Sequence, residues 1–554
     1  MVYYVKMTSV TITRSLSITL PESMLEPQWL LLLYFSLTWL VWRLWKFSIR
    51  PLLYTKEVEY LPYSIPFIGH AVPMFKSTAR LYTQAIKHFN GLRKTYALHV
   101  MGRDIVIVSD PAEQSLIYKD SSSYSINGSI DMIYKCVGEV SPDAHKNLWR
   151  GPEDGFQSLH PNPKGQVLVH MGYSLLHKQL LQPNKSQDLI QKNVSYIEQY
   201  TGSGAFFDTS VLASNGKGDQ VVSLHKWCLE VLIESQTRIF FGKTFREIQP
   251  DYKTLFDAWD FNSWMMTYQY PHFLAKAATR PRDALFKALT QYLDMPRDER
   301  DRESVPFVNE LQDELENGGL GSEDIARVLF VILWGVNTNV HTAAFWLLAH
   351  VLVRPTLAEA LMEEIAPAMQ AIEKADSKDP AALTEIVRTR LIQDAPLLNA
   401  TFDETVRTCS TNASTRDVKR PVSLGGKVLK PGTVILMPQR PNLLAPEAFG
   451  GDAEDFDPHR FLQNKRLTRQ EFFRPFGGGV TLCSGRTVAR YEVLTFVAFA
   501  LWRYDIKVVG EGERVQGVYG KGFPRLDEAK PSLGVAKQCE GDDVIVVLRK
   551  KTTQ

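Results

Sequence analysis

A single thiol, Cys483, stands in FRPFGGGVTLCSGR, a stretch with little side-chain bulk. Three glycines (Gly477, Gly478 and Gly479) follow Phe476, and Gly485 lies two residues past the cysteine. Beyond it, RTVARYEVLTFVAFALWRY reads as a helix of about five turns. The cysteine thus sits just before a helix N-terminus, where free backbone N–H groups and the helix dipole favour an anion, here a thiolate. The glycines permit positive φ and let a large flat ligand approach the backbone. A thiolate held this way suits the axial position of a haem iron. Two plainer readings compete. Free cysteines are mostly small core residues, and a Gly-rich loop ahead of a helix can cradle phosphate. Neither phosphate-loop nor dinucleotide fingerprints are present, however. The spacing F-x-G-G-x-x-x-C-x-G is far more specific than either reading.

Two further groupings could do chemistry. ARVLFVILWGVNTNVHTAAFWLLAHVLV is apolar on most faces and predicts one long helix, buried in a large core or spanning a membrane. Asn337, Thr338, Asn339 and His341 in its middle favour burial beside a polar site. Ser322 reads as its N-cap, with Glu323 and Asp324 in the first turn. Upstream of the cysteine loop, Glu404 and Arg407 are spaced i, i+3 and share a helix face. An arbitrary pair of this kind is a surface salt bridge of about 1 kcal/mol or less. Arg460, in FDPHRF, is a third candidate partner.

Together these motifs resemble the cytochrome P450 family, in the family's own order, over roughly residues 55–550. The resemblance implies a mainly α fold with small β-sheets, and a haem b cofactor with Cys483 as axial ligand. It implies that Phe476, Gly479 and Gly485 shape the haem-binding loop. It further implies that Arg416 reaches a haem propionate and that Glu404, Arg407 and Arg460 form a structural network bracing the loop. Most members carry Arg or His two residues before the cysteine; this chain has Thr481. Most also have AGx[DE]T[TS] in the helix that crosses the distal face of the haem, where the acid and Thr deliver protons. Here Gly335 can align with the motif glycine, placing Asn337 at the acid and Thr338 at the threonine. Alternatively, WGVNTNVHTAAFW matches the subgroup of cholesterol 7α-hydroxylase and prostacyclin synthase, which puts Asn339 at the threonine and explains more positions. The acid is missing in both registers, and an amide orients water but does not act as an acid near neutral pH. The family's WxxxR is not found between His170 and Ile190, so no residue is assigned there.

The elements that must position these groups are also legible. PQWLLLLYFSLTWLVWRLW, residues 27–45, would span roughly 28 Å as a helix, with tryptophans at both ends. No signal-peptide cleavage site follows it. Arg43, Lys46 and Arg50 lie at or after its end, while Lys6, Arg14, Glu22 and Glu26 cancel before it, which predicts a cytosolic catalytic domain. The expected organisation is an N-terminal extension (1–26, with Met24 an alternative start), a transmembrane anchor (27–45), a basic and proline-rich linker (46–70) and a haem-thiolate catalytic domain (71–554). TYALHVMGRDIVIV predicts a hairpin. Residues 119–163 predict surface loops with short helices, and 297–324 a solvated helix and loop. GGKVLKPGTVILMP predicts strands, and SLGVAKQCEGDDVIVVLRK resembles the family's closing hairpin. The aromatic stretch 255–289 fits either core helices or, by resemblance, a cavity roof. There Trp259, Phe261, Trp264, Met265 and Met266 would suit a bulky apolar substrate.

A net charge of +2 leaves no nucleic-acid footprint, and five scattered cysteines fit a reducing compartment with no disulfide framework. The resemblance implies a monooxygenase in the endoplasmic reticulum membrane. It would take electrons from NADPH through NADPH–cytochrome P450 reductase, with cytochrome b5 a further candidate, and oxidise a small lipophilic, steroid- or terpenoid-like substrate in specialised metabolism, with a fungal source the expectation. The alternatives are an oxygen-independent isomerase or dehydratase acting on a peroxide, and a non-catalytic haem-binding scaffold.

Overall fold

The computed structural model describes residues 7–13, 16–21, 27–202, 209–214, 218–300, 302–375 and 379–551. The molecule is mainly helical, with one six-stranded sheet, one four-stranded sheet and three two-stranded ribbons among the described residues. The expected hairpin forms from Thr95–Val100 and Arg103–Val108, turning at Met101 and Gly102. It sits inside the six-stranded sheet, whose spatial order runs Glu59–Tyr60, Thr95–Val100, Arg103–Val108, Val434–Pro438, Ala413–Val418, Tyr124–Ser125. Arg416 lies opposite Ile435 in this sheet. Asp110 caps the next helix, Pro111–Lys119, by accepting from the N–H groups of Ala112 and Glu113.

The apolar helix near the N-terminus runs past its expected end. Pro27–Leu44 continues through a π turn, Trp45–Ile49, into Arg50–Leu53. Pro51 does not stop it, because it stands at the start of that last helical turn, where no N–H is required. The first residues of the supposed linker are therefore helical. Residues 28–53 are long and apolar enough to cross a membrane, and that window is wholly unburied. The rest of the linker folds back on the helix. Trp39 Nε1 donates to the Ser64 carbonyl (2.6 Å), Arg43 to the Tyr63 carbonyl (2.7 Å), and Lys46 to the Tyr63 hydroxyl (2.5 Å). In the extension, Met7–Thr13 and Leu16–Pro21 pair antiparallel, which was not foreseen. Met24, Lys6, Arg14, Glu22 and Glu26 lie outside the described residues.

The second apolar stretch long enough to cross a membrane, Ser322–Leu352, is mostly buried and is the core helix of the domain. Its cap differs from expectation. Gly321 takes the N-cap position without a side-chain bond, and Ser322 is the first helical residue. Asp324 instead receives the N–H and hydroxyl of Ser141, a tertiary contact that sequence spacing does not reveal. Nor is the helix continuous: Ser322–Asn337 and Val340–Leu352 are separated by Thr338 and Asn339. Polar side chains at the break bond to helix carbonyls, Asn337 to Leu333 (3.0 Å) and Thr342 to Thr338 (3.1 Å), which favours bending there.

Two other expectations need correction. Arg300 and Glu314, in the supposedly solvated stretch, are buried; Arg300 bonds to Gln312, Asn309 and the Leu293 carbonyl. The C-terminal stretch does pair locally, Leu526 with Gln538, but its strand Ile545–Lys550 is no part of that hairpin. It is an inner strand of the four-stranded sheet, between Tyr504–Val508 and Asp219–Ser223. Strand pairing across several hundred residues is set by tertiary packing, not by local turn signals.

Candidate functional site

The cysteine loop folds on its own backbone. The Cys483 N–H donates to the Phe476 carbonyl (3.0 Å), and the Leu482 N–H to the Gly479 carbonyl (3.1 Å). Phe476 is half-buried against the main core. The expected helix follows as Arg486–Arg503, with Gly485 at its N-cap. Gly479 has φ +60°, and a Cβ there would run into the carbonyl oxygen of Tyr118. At Gly478 a Cβ would lie 2.8 Å from the Arg474 guanidinium. Gly479 is thus demanded by the backbone packed behind the loop, whereas at Gly478 the nearest obstacle is the tip of a flexible arginine. Gly485 is not demanded: a Cβ there would sit 3.9 Å from Cys483 Sγ, an ordinary contact.

Cys483 is exposed, yet it is set among protein on most sides. Burial raises its thiol above the ordinary value, while the Gly485 and Arg486 N–H groups and the Arg486 charge pull it down. Burial is the larger effect, so the helix end alone does not make the thiolate. A coordinated metal cation would, since a coordinating thiol is deprotonated outright.

Arg416 is buried and has no carboxylate partner among the described residues. Its guanidinium donates to the Thr481 hydroxyl (2.6 Å) and its neighbour's carbonyl, and lies 5.4 Å from the Tyr118 ring centroid. Burial lowers its pKa from the ordinary value, and Tyr118 partly opposes that. A buried guanidinium with no carboxylate to meet suits a ligand that brings one. Thr481, the position where the family pattern fails, is therefore the residue that holds Arg416.

Glu404 and Arg407 lie on Pro396–Cys409, both with side chains 0% exposed, and meet through two bonds of 2.6 and 2.7 Å. Arg407 also donates to the carbonyls of Leu443, Ala453 and Asp455, and Glu404 accepts the Asp457 N–H. The pair ties the helix to the segment leading into the cysteine loop. Arg460 stands 3.6 Å from Glu404, but its hydrogen bonds go to Asp452 and the Phe449 carbonyl.

On the central helix, Gly335 is the one exposed residue between Ile325 and Val351, and nothing lies within 4 Å of where its Cβ would be. Thr338 and Asn339 follow it by three and four residues and share its helix face. Asn339 is half-buried; its Oδ1 accepts the Val535 N–H (2.9 Å). Thr338 is buried, its hydroxyl donating to Asp260 (2.6 Å) on the roof helix Tyr252–Asn262. The roof aromatics divide. Trp259 and Met266 are core residues, Trp259 packing on Phe330 and Trp334 (5.2 and 5.6 Å between centroids). Phe261, Trp264 and Met265 are only half-buried. Asp260 was missed by sequence reasoning, because a lone acid among aromatics carries no spacing signal.

A sequence model of the cytochrome P450 family matches residues 134–518. The chain belongs to the cytochrome P450 family. Similar P450 proteins include a cytochrome P450 monooxygenase (nodJ) of Hypoxylon pulicicidum, 28% identical over 92% of this chain and 91% of that protein. Another (poxD), of Penicillium oxalicum, is 24% identical over 82% of this chain and 88% of its own length. The cholesterol 7-alpha-monooxygenase of Cricetulus griseus is 24% identical over 56% of this chain and 63% of its own. With these relatives, the chain is a haem-dependent P450 monooxygenase. The P450 haem fits the donors present: a thiol on a backbone-held loop and a buried guanidinium without a carboxylate.

Proposed function

We propose that this P450 is a membrane-anchored monooxygenase that oxidises a lipophilic, steroid- or terpenoid-like substrate in specialised metabolism. Cys483 would hold the haem iron, Arg416 a propionate, and Phe476, Gly479 and Gly485 would shape the loop. When bound, the haem supplies oxygen activation, with the thiolate pushing electron density onto the iron. The chain's own residues do the rest. Thr338 and Asn339 hold polar hydrogens at the helix break, and Asn339, half-buried on the Gly335 face, would lie toward the reacting side. Phe261, Trp264 and Met265 offer apolar contact to a bulky substrate and help exclude water.

The anchor would be residues 28–53, placing the domain on the cytosolic face of the endoplasmic reticulum. Electrons would come from NADPH through its P450 reductase, with cytochrome b5 a second candidate donor. The observation that carries the reading is the pairing of a Cys483 loop held by its own backbone with a buried Arg416 that meets no carboxylate. Purified protein reduced under carbon monoxide should show the thiolate-ligated Soret band; a band typical of histidine-ligated haem would overturn the assignment. Steroids and terpenoids should be oxidised only with reductase and NADPH. Turnover of a hydroperoxide without reductase would overturn the monooxygenase reading.

A further inference from the structure

A cavity of about 320 Å³ lies where the apolar helix meets the six-stranded sheet, outside the haem site. One wall is a face of the helix, on which Leu40, Arg43, Leu44 and Phe47 stand three or four residues apart. The facing wall holds Glu59 and Tyr60 of the first strand in the sheet, with His88 exposed at the rim. Both charges in the cavity are poorly matched by protein. Arg43 gives one N–H to the Tyr63 carbonyl (2.7 Å) and otherwise meets rings, Trp39 and Phe47, at 5.4 and 5.6 Å. It makes no ion pair among the described residues. The nearest cation to Glu59 is Lys94 at 3.8 Å, too far for a hydrogen bond. At 1.5 Å per residue, Leu40 stands roughly 18 Å and Phe47 roughly 29 Å along the helix from Gln28. A bilayer core about 30 Å thick would therefore end at this cavity. Its apolar end, the exposed Leu40 and Leu44, continues the helix surface that faces lipid.

We propose that this cavity binds one phosphatidylethanolamine of the cytosolic leaflet, with its phosphate on Arg43, its ammonium on Glu59 and the tops of its chains along Leu40 and Leu44. This rests on the membrane-anchored reading above. The cavity is small among ligand sites, which begin at roughly 300 Å³. It takes a headgroup and leaves the chains in the bilayer. Each rival occupant leaves something unmatched. A free phosphate would use Arg43 but not the apolar end, and would face Glu59 as a like charge. An uncharged sterol would leave Arg43 and Glu59 unanswered. A lipid with a further anion in its headgroup would set that anion against Glu59. Choline brings no N–H for a carboxylate and is held by open aromatic faces. Here those faces are taken: the Lys46 ammonium lies 4.2 Å from the Tyr60 centroid, and Arg43 covers Phe47. A primary ammonium gives Glu59 a charge-assisted hydrogen bond, and a phosphodiester accepts one from Arg43.

The test uses full-length haem-loaded protein in detergent micelles doped equally with phosphatidylethanolamine, phosphatidylcholine, phosphatidylserine and phosphatidylinositol. Native mass spectrometry then reads the lipid retained per protein. One phosphatidylethanolamine should be retained in preference to the others. Arg43→Gln and Glu59→Gln should each lower its retention on the order of tenfold, as loss of one charge-assisted bond does. Leu44→Trp, which fills the apolar end, should lower it without removing a charge. Arg50→Gln is the control, because Arg50 pairs with Glu57 (2.8 Å) outside the cavity; it should retain lipid as wild type does. The thiolate Soret band and the C–O stretch of the ferrous carbonyl complex check that each variant is folded and haem-loaded. Equal retention of all four lipids, or preference for an anionic one, overturns the proposal. So does displacement of the lipid by soluble glycerophosphoethanolamine at equal concentration, which would make this a site for a free phosphate ester. Cosedimentation with phosphatidylcholine vesicles separates the proposal from the anchor. Protein that binds the vesicles but retains no phosphatidylethanolamine overturns the proposal alone, whereas protein that stays free of them overturns the anchored reading itself.

Discussion

The loop that carries Cys483 and the helix break at Thr338–Asn339 are held by different means. The loop is closed by backbone bonds, Cys483 to Phe476 and Leu482 to Gly479, and is packed so tightly on Tyr118 that Gly479 admits no side chain. The break is held through its own side chains by groups from elsewhere: Thr338 by Asp260 on the roof, and Asn339 by the Val535 N–H. Backbone closure depends on glycine spacing, which is local in sequence. Side-chain closure depends on residues that meet only after folding. The Cys483 loop thus stays close to the family pattern, while the helix break departs from it.

Breaking the loop should have the largest effect. Cys483→Ala should abolish the thiolate carbonyl band and all reductase-driven turnover; retention of that band would show that another residue ligates the iron. Next is the buried ion pair behind the loop. Arg407→Ala leaves Glu404 as an uncompensated buried charge, which costs about 3–5 kcal/mol. Thermal unfolding should show a large drop in Tm with loss of bound haem, and a variant as stable as wild type would disprove the bracing role.

Smaller effects should mark the break. A Cβ at Gly534 would lie 2.5 Å from Asn339 Oδ1, so Gly534→Ala must displace the carboxamide. It should alter the carbonyl stretch and substrate binding while leaving the Soret band of the thiolate complex in place. An unchanged stretch would detach Asn339 from the reacting side. Asn339→Ala and Thr338→Ala, compared separately, should differ from one another; equal and negligible changes would refute a role for either.

The effect smallest near neutral pH concerns acid stability. His350 is buried, stacked on Phe456 at 3.9 Å between centroids, and burial, helped by Arg354, holds it down to about 3. A histidine depressed in the fold binds its proton more readily unfolded. Its contribution is therefore full above the unfolded value of 6.5 and is lost as pH falls toward 3, at no more than about 1.4 kcal/mol per pH unit. His350→Phe keeps the stacking and should make unfolding less pH-dependent across that window, as denaturant titrations would show.

The same contrast explains what was legible in the sequence. The hairpin at Thr95–Val108, the helix after Cys483 and the Glu404–Arg407 pair are written in short-range spacing, and the structure has them. Asp260 has no such signal, and neither does the Asp324–Ser141 contact that replaced the expected cap. The pairing of the inner strand Ile545–Lys550 with Asp219–Ser223, more than three hundred residues earlier, has no local signal either. The break at Thr338–Asn339 was hidden by the apolar periodicity on either side of it.

Tyr63 carries a practical consequence. Its ring packs against Trp42, Phe47, His70 and His99, while Arg43 and Lys46 bond to its carbonyl and hydroxyl. The apolar helix is thereby joined to the first sheet like a handle fixed to a blade, not hung from it by a cord. Trimming the chain before Leu53 to make it easier to handle would strip the cover from this aromatic cluster. The shortened protein should then become sticky for reasons unrelated to its catalytic centre.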